Sequence, residues 1–201
     1  MTANQLITNL SNTSLVGIKV SDLTIPQNVT TLLSLLNMAK NKLAEDTLLW
    51  LGGEQITMLA DTYSYTLSTI PIQIIDTYDD KMNLRPRNSI DYFGYFQTSP
   101  NKIQFNNIEV GGVVNINYYE TPTDYLIGDE LVVPPSLLSA LQFYITHKAF
   151  EIYKAESDIF TSAEYYKKYK GALQDYISKS DSTDVDSVVS LNNKIWKRGL
   201  R

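Results

Sequence analysis

The stretch "LVVPPSLLSALQFYITHKAFEIYKAESD", residues 131–158, decides the fold and also holds the only histidine of the chain. A β-like run meets Pro134 and Pro135, and a long apolar helix pattern follows. Two prolines fit a helix start, because the first helical N–H groups have no intrahelical acceptor to lose. Leu138, Leu141, Ile145, Ala149 and Ile152 then recur at the spacing of one helical stripe. His147 sits beside Tyr144 and Glu151 on the wheel, next to that stripe and not at its centre. A Ser-His-Asp triad would need His147 as its base. The sharp strand-to-helix serine turn G-x-S-x-G, however, does not occur. His147 therefore reads as a boundary residue of a structural helix.

Working outward, a second helix follows at "TSAEYYKKYKGALQDYISK", where Thr161 and Glu164 match a capping box. Tyr166, Tyr169, Leu173, Tyr176 and Ile177 form its predicted buried face. Ser157-Asp158 fits either a true turn or a kink in one long helix. Upstream, residues 55–121 are rich in Tyr, Ile, Val, Thr and Phe and are broken by Pro71, Pro86, Gly94, Pro100 and Gly111-Gly112. The best strands are "TYSYTL", "IQIIDTY", "NKIQFNN" and "VVNINYYE", the last alternating with period two. "NKIQFNNIEVGGVVNINYY" reads as a hairpin turning at Gly111-Gly112. Before the β region, Leu32, Leu35, Leu36, Ala39 and Leu43 mark an amphipathic helix. Asn28, Thr30 or Thr31 is its predicted cap, and Gly52-Gly53 its predicted stop. Residues 1–26 read as an extended arm.

The predicted class is α+β, a helical core with an inserted antiparallel β-rich module and extended termini. The predicted divisions are an arm at 1–26, a helical core at 27–54 and 123–179, a β module at 55–122, and a linker with a basic tail at 180–201. A chain of 201 residues, 43% hydrophobic and 19% charged, can bury such a core without staples.

Composition narrows the chemistry. With no cysteine, thiolate zinc sites, iron–sulfur clusters and thiol nucleophiles are excluded. One histidine cannot close a tetrahedral zinc site. The acidic groups Asp76/Asp79/Asp80 and Asp181/Asp184/Asp186 lack the EF-hand pattern and read as turn and linker. Neither glycine-rich phosphate motif is present. A net charge of −5 opposes diffuse nucleic-acid binding. The N-terminus lacks the features of a signal peptide, and no run is long enough to span a membrane. No catalytic, metal or cofactor-binding residue is predicted, and the chain reads as a non-enzyme.

Two contact candidates remain. Among fourteen tyrosines, those in "IDYFGYF" suit either a core or a contact surface, which names Tyr92, Phe93, Tyr95 and Phe96. At the C-terminus, Lys194, Ile195, Trp196, Lys197, Arg198 and Arg201 set an aromatic anchor among basic residues. Burying such an anchor is worth roughly 1.5–3 kcal/mol, so a partner-docking tail is expected.

The order of these pieces resembles the head-to-tail adaptor (connector or neck ring) proteins of tailed bacteriophages. The resemblance lies in Tyr118, Tyr119 and Pro122, then Leu131 to Pro134, then Ala140, Leu141, Tyr144, Ile145, Lys148 and Ala149. It covers residues 28–178. It implies a structural virion protein of the neck, assembled in the host cytoplasm. The implied partners are copies of itself in a dodecameric ring, the portal protein, and the next tail or neck ring protein. DNA would pass through the lumen without specific binding, and a C-terminal extension would reach an adjacent component. A carbohydrate- or surface-binding β module using "IDYFGYF" is the alternative; a hydrolase with a carboxylate pair ranks last.

Overall fold

The computed structural model describes residues 1–79, 94–105, 110–153 and 159–182, and places them in four helices and two antiparallel sheets. The chain divides into two units, residues 1–40 with 124–201, and residues 41–123.

The first unit opens with helix α1, Ala3–Asn12, where the sequence had suggested an extended arm. Its start is a capping box: Thr2 Oγ1 accepts from the Gln5 amide at 3.2 Å, and Gln5 Oε1 accepts from the Thr2 amide at 2.8 Å. Two further orphan donors of the first turn, the N–H groups of Ala3 and Asn4, bond the carbonyls of Asp129 and Ile127. Ala3, Leu6, Ile7 and Leu10 are all buried. Their spacing is that of one helical face, and burial of that face holds the helix in place.

Helix α2, Pro26–Thr47, begins on its proline. Asn28 is not its cap. Instead the Asn28 amide donates to the carbonyls of Lys19 and Asp22, fastening the preceding turn to the helix. The predicted stripe of Leu32, Leu35, Leu36, Ala39 and Leu43 is buried throughout. The stop is Leu48, in the left-handed region at φ 50°, whose N–H bonds the Ala44 carbonyl. Gly52 and Gly53 lie beyond, inside a strand. A Cβ on Gly52 would come within 2.6 Å of the Tyr118 ring, so glycine is needed there for close strand contact.

Helices α3, Leu138–Tyr153, and α4, Ile159–Ser182, follow a short turn at Pro135–Leu137. The residues between them, including Ser157 and Asp158, lie outside the described ones. Burial on α3 takes in Ala140, Leu141, Tyr144, Ile145 and Ala149 but ends before Ile152, which is exposed. On α4, Tyr169 and Leu173 are buried, whereas Tyr166 and Ile177 are exposed. The predicted stripes were right at their centres and too long at their ends. α4 also starts two residues before the predicted cap at Thr161.

The second unit contains strands β1 (Leu51–Thr57), β2 (Ser64–Thr66), β3 (Pro71–Asp79), β4 (Tyr95–Ser99), β5 (Lys102–Phe105) and β6 (Val113–Glu120). The sheets run β1-β6-β3 and β2-β5-β4, all neighbours antiparallel. The predicted β5–β6 hairpin does not form, since β5 and β6 are the central strands of different sheets. Gly111, at φ 84°, turns the chain just before β6. Inward residues Ile56, Ile74, Ile103, Phe105, Val114 and Ile116 belong to one shared core. The molecule is thus α+β in class.

Leu6→Ala is expected to destabilise the protein by about 2–5 kcal/mol in denaturant unfolding. An unchanged midpoint would mean that α1 is a loose arm after all.

Candidate functional site

His147 is held between α3 and α4. Its Nδ1 lies 3.0 Å from the Ser162 carbonyl oxygen and 2.9 Å from Ser162 Oγ. A carbonyl can only accept, so Nδ1 carries the proton and donates. The Ser162 hydroxyl donates to the His147 carbonyl at 3.2 Å, closing a reciprocal clasp. Glu151 Oε2 stands 3.9 Å from His147 Nε2. Serine, histidine and glutamate are thus close together, but in the wrong sense for a triad. The nitrogen facing the serine is the protonated one and has no lone pair to take a hydroxyl proton. Ser162 is itself buried, with its hydroxyl engaged on backbone. The arrangement fits a clasp better than a base.

Aromatic rings extend this clasp along the helix pair. Tyr144 meets Tyr169 edge-on at 5.0 Å between ring centres, and His147 meets Tyr166 at 5.0 Å. A second row places Tyr165 against Phe150, stacked at 5.9 Å, and Phe143 at 6.3 Å. Such pairs add about 0.5–1.5 kcal/mol each beyond their burial. Of the tyrosines in "EYYKKYK", Tyr169 is buried, Tyr165 is half-buried and Tyr166 is exposed, so the rings run from the interior out to the surface of the helix pair.

A second polar knot pins the returning chain to α2. Asn37 donates its amide to the Tyr125 carbonyl at 3.1 Å and accepts from the Tyr125 N–H at 2.7 Å. The Tyr125 hydroxyl accepts from the Val132 amide. Lys40 is fully buried, with its ammonium 3.4 Å from Asp124 Oδ1 and 5.0 Å from the centre of the Tyr125 ring. Burial pulls its pKa below the ordinary 10.5, and the hydrogen bond and charge of Asp124 offset this only in part. Neither knot was legible beforehand, because both join residues distant in sequence.

Of the residues marked for contact, Tyr92 and Phe93 lie outside the described ones, as do Lys194, Ile195, Trp196, Lys197, Arg198 and Arg201. Tyr95 is 2% exposed, within the β core and in ring contact with Phe105. It is removed from any stacking surface, because its strand turns it inward; Phe96 beside it is half-buried. No group of carboxylates or histidines able to hold a metal ion occurs among the described residues. No helix among them is long and apolar enough to cross a membrane. Large apolar side chains do stand in solvent, notably Phe160 at 87% exposure, with Ile152 and Tyr153 at the other side of the α3–α4 connection. Leu126 and Val132 are further examples in the first unit, and Leu59, Tyr63 and Val110 in the second. Contiguous apolar patches, and not single exposed side chains, mark surfaces that other proteins cover.

The Lys40 geometry fixes a pH response. The unfolded chain holds more protons than the folded one between the lowered Lys40 pKa and 10.5, so its contribution to stability rises with pH in that window. Lys40→Met is expected to keep or raise stability and to flatten that rise. Asp124→Asn, which removes the charge that offsets this burial, is expected to lower the Lys40 pKa further and to widen the window of that rise. An equally steep rise in Lys40→Met, in unfolding measured across pH, would refute the assignment.

No curated protein matches the chain significantly. The family described as SU10 adaptor protein does, over residues 1–191. That span is wider than the resemblance read from the sequence. It takes in α1, both sheets and the α3–α4 pair, and leaves Lys194, Trp196 and their neighbours outside it. The chain belongs to the SU10 adaptor protein family, the head-to-tail adaptors of bacteriophages.

Proposed function

We propose that this protein is one subunit of a ring that joins the portal to the tail in the phage neck and lets DNA pass. The observation that carries the reading is the family match across residues 1–191, which covers every described helix and strand. The exposed apolar side chains support it, since Phe160 and Ile152 in one unit and Leu59, Tyr63 and Val110 in the other offer different surfaces. A ring built from head-to-tail contacts needs two different surfaces on each copy. A chain with 22 acidic and 17 basic residues also suits a channel that must not hold phosphates. The role is structural. His147 serves as a helix clasp, and no residue is assigned to catalysis.

Within this reading the subunit contacts copies of itself, in a dodecamer by family resemblance, together with the portal and the next neck or tail ring. It resides in the virion neck after assembly in the host cytoplasm. The basic tail with Trp196 is its docking peptide. A peptide with a single aromatic anchor places most of its binding energy in one side chain.

Deleting residues 191–201 is expected to weaken partner docking, read by co-sedimentation with portal or by self-association, while leaving the melting temperature nearly unchanged. A large fall in that temperature would place the tail on its own domain and end the docking idea.

A further inference from the structure

Strand β1 forms an open edge of the sheet β1-β6-β3. Its register against β6 runs unbroken, from Leu51 opposite Tyr119 to Thr57 opposite Val113. At one end the Trp50 carbonyl accepts from the Glu120 amide, and at the other the Met58 amide donates to the Gly112 carbonyl. Hydrogen-bonded pairs alternate along an antiparallel ladder, so Gly52, Glu54 and Ile56 complete the same series. The N–H and C=O groups of Leu51, Gly53, Gln55 and Thr57 therefore point away from β6. All four residues are exposed, and these groups have no backbone partner among the described residues. The other edges carry devices that discourage strand addition. β3 starts on Pro71 and has two breaks of register, β4 has one, and β2 is three residues long. β1 has none of these. Its one charged residue, Glu54, is engaged by Ser68, whose amide and hydroxyl both donate to the carboxylate at 2.9 Å. Glycine within a strand marks a close approach. Gly52 has the Tyr118 ring to account for it, but a Cβ on Gly53 would meet nothing of its own chain closer than 3.5 Å.

We infer that β1 pairs with β1 of a second copy, antiparallel about a two-fold axis at Gly53. A row of alternating donors and acceptors at strand spacing is complemented by another extended backbone. An antiparallel copy of β1 presents that row in reverse order, and a strand cannot pair with itself inside one chain. The side chains choose the register, because only the odd-numbered residues can bond across the contact. Centring the pair on Glu54 sets two carboxylates directly opposite each other, which is unfavourable. Centring it on Gln55 sets Glu54 against the apolar Ile56 of the copy. Centring it on Gly53 sets Glu54 against Gly52 of the copy and Leu51 against its Gln55. Gly53 then faces Gly53, and each bonded pair exchanges two hydrogen bonds. The product is one continuous sheet running through both copies. This contact is two-fold, unlike the head-to-tail contacts that close a ring. It therefore goes beyond the ring reading and holds or fails without it.

The absence of native cysteine allows a clean test in the full chain. Gly53→Cys sets two thiols on residues whose Cα atoms lie about 5.5 Å apart across the contact, within disulfide reach, and that bond can form only between chains. Thr57→Cys is the control, because the same register keeps its two copies roughly 27 Å apart. Mild oxidation is expected to link Gly53→Cys chains at least about tenfold faster than Thr57→Cys chains. Gln55→Pro removes an outward N–H and leaves the β6 ladder intact, since proline is tolerated where a strand's N–H faces outward. It is expected to halve the mass measured by light scattering with little change in melting temperature. Gly53→Lys, which sets like charges face to face on the axis, is expected to do the same if the proline variant melts early. Equal linking rates at 53 and 57, or an unchanged mass in the edge variant that folds, would overturn the inference and leave the ring reading standing. So would an unmodified chain that is monomeric alone and assembles only with portal. A chain that stays monomeric both alone and with portal would remove both.

Discussion

The reciprocal bond between His147 and Ser162 is the contact on which the helical unit turns. One imidazole and one hydroxyl satisfy each other and two backbone carbonyls at the crossing of α3 and α4. Buried polar groups are costly when unpaired and directional when paired, so this clasp fixes the helices' mutual position more sharply than apolar burial alone. The tyrosine and phenylalanine rows on either side add area and edge-to-face geometry to that alignment. With both helices fixed, the exposed Phe160 becomes a constant feature of the protein's surface.

The same bond argues against Ser162 as a nucleophile activated by the lone histidine. A catalytic base needs a free lone pair directed at its nucleophile. Here the nitrogen facing Ser162 is the one bearing the proton, because the Ser162 carbonyl can only accept. Family membership and side-chain geometry thus point the same way, toward a part whose work is mechanical. The Asn37–Tyr125 and Lys40–Asp124 contacts play a comparable role where the chain returns from its β module. They seat the loop before α3 against α2.

Periodicity exposed the parts of the fold that depend on it. The α2 stripe from Leu32 to Leu43 is buried at every predicted position, and Val114, Ile116 and Tyr118 alternate inward in β6 as read. What failed was long-range. Gly111-Gly112 suggested a local hairpin, yet strand partners are set by which faces share a core, and β5 and β6 joined different sheets. Helix α1 was missed although its signals are present: Thr2 and Gln5 form a capping box, and Ala3, Leu6, Ile7 and Leu10 share one face. Its Asn, Ser and Thr content resembled loop, but tertiary burial outweighs weak propensity. Ser162 could not be foreseen as the partner of His147, since nothing local to either residue names the other. For Tyr95 the sequence left core and contact surface both open, because tyrosine serves both environments.

Assembly is the decisive property, because the proposed ring role is expressed through contacts between subunits. The most direct measurement is the mass of the purified full chain by multi-angle light scattering, alone and mixed with the portal ring. The account predicts a closed oligomer, or a portal complex holding a fixed number of copies. A species that stays at the 22.8 kDa of one chain under both conditions would contradict it.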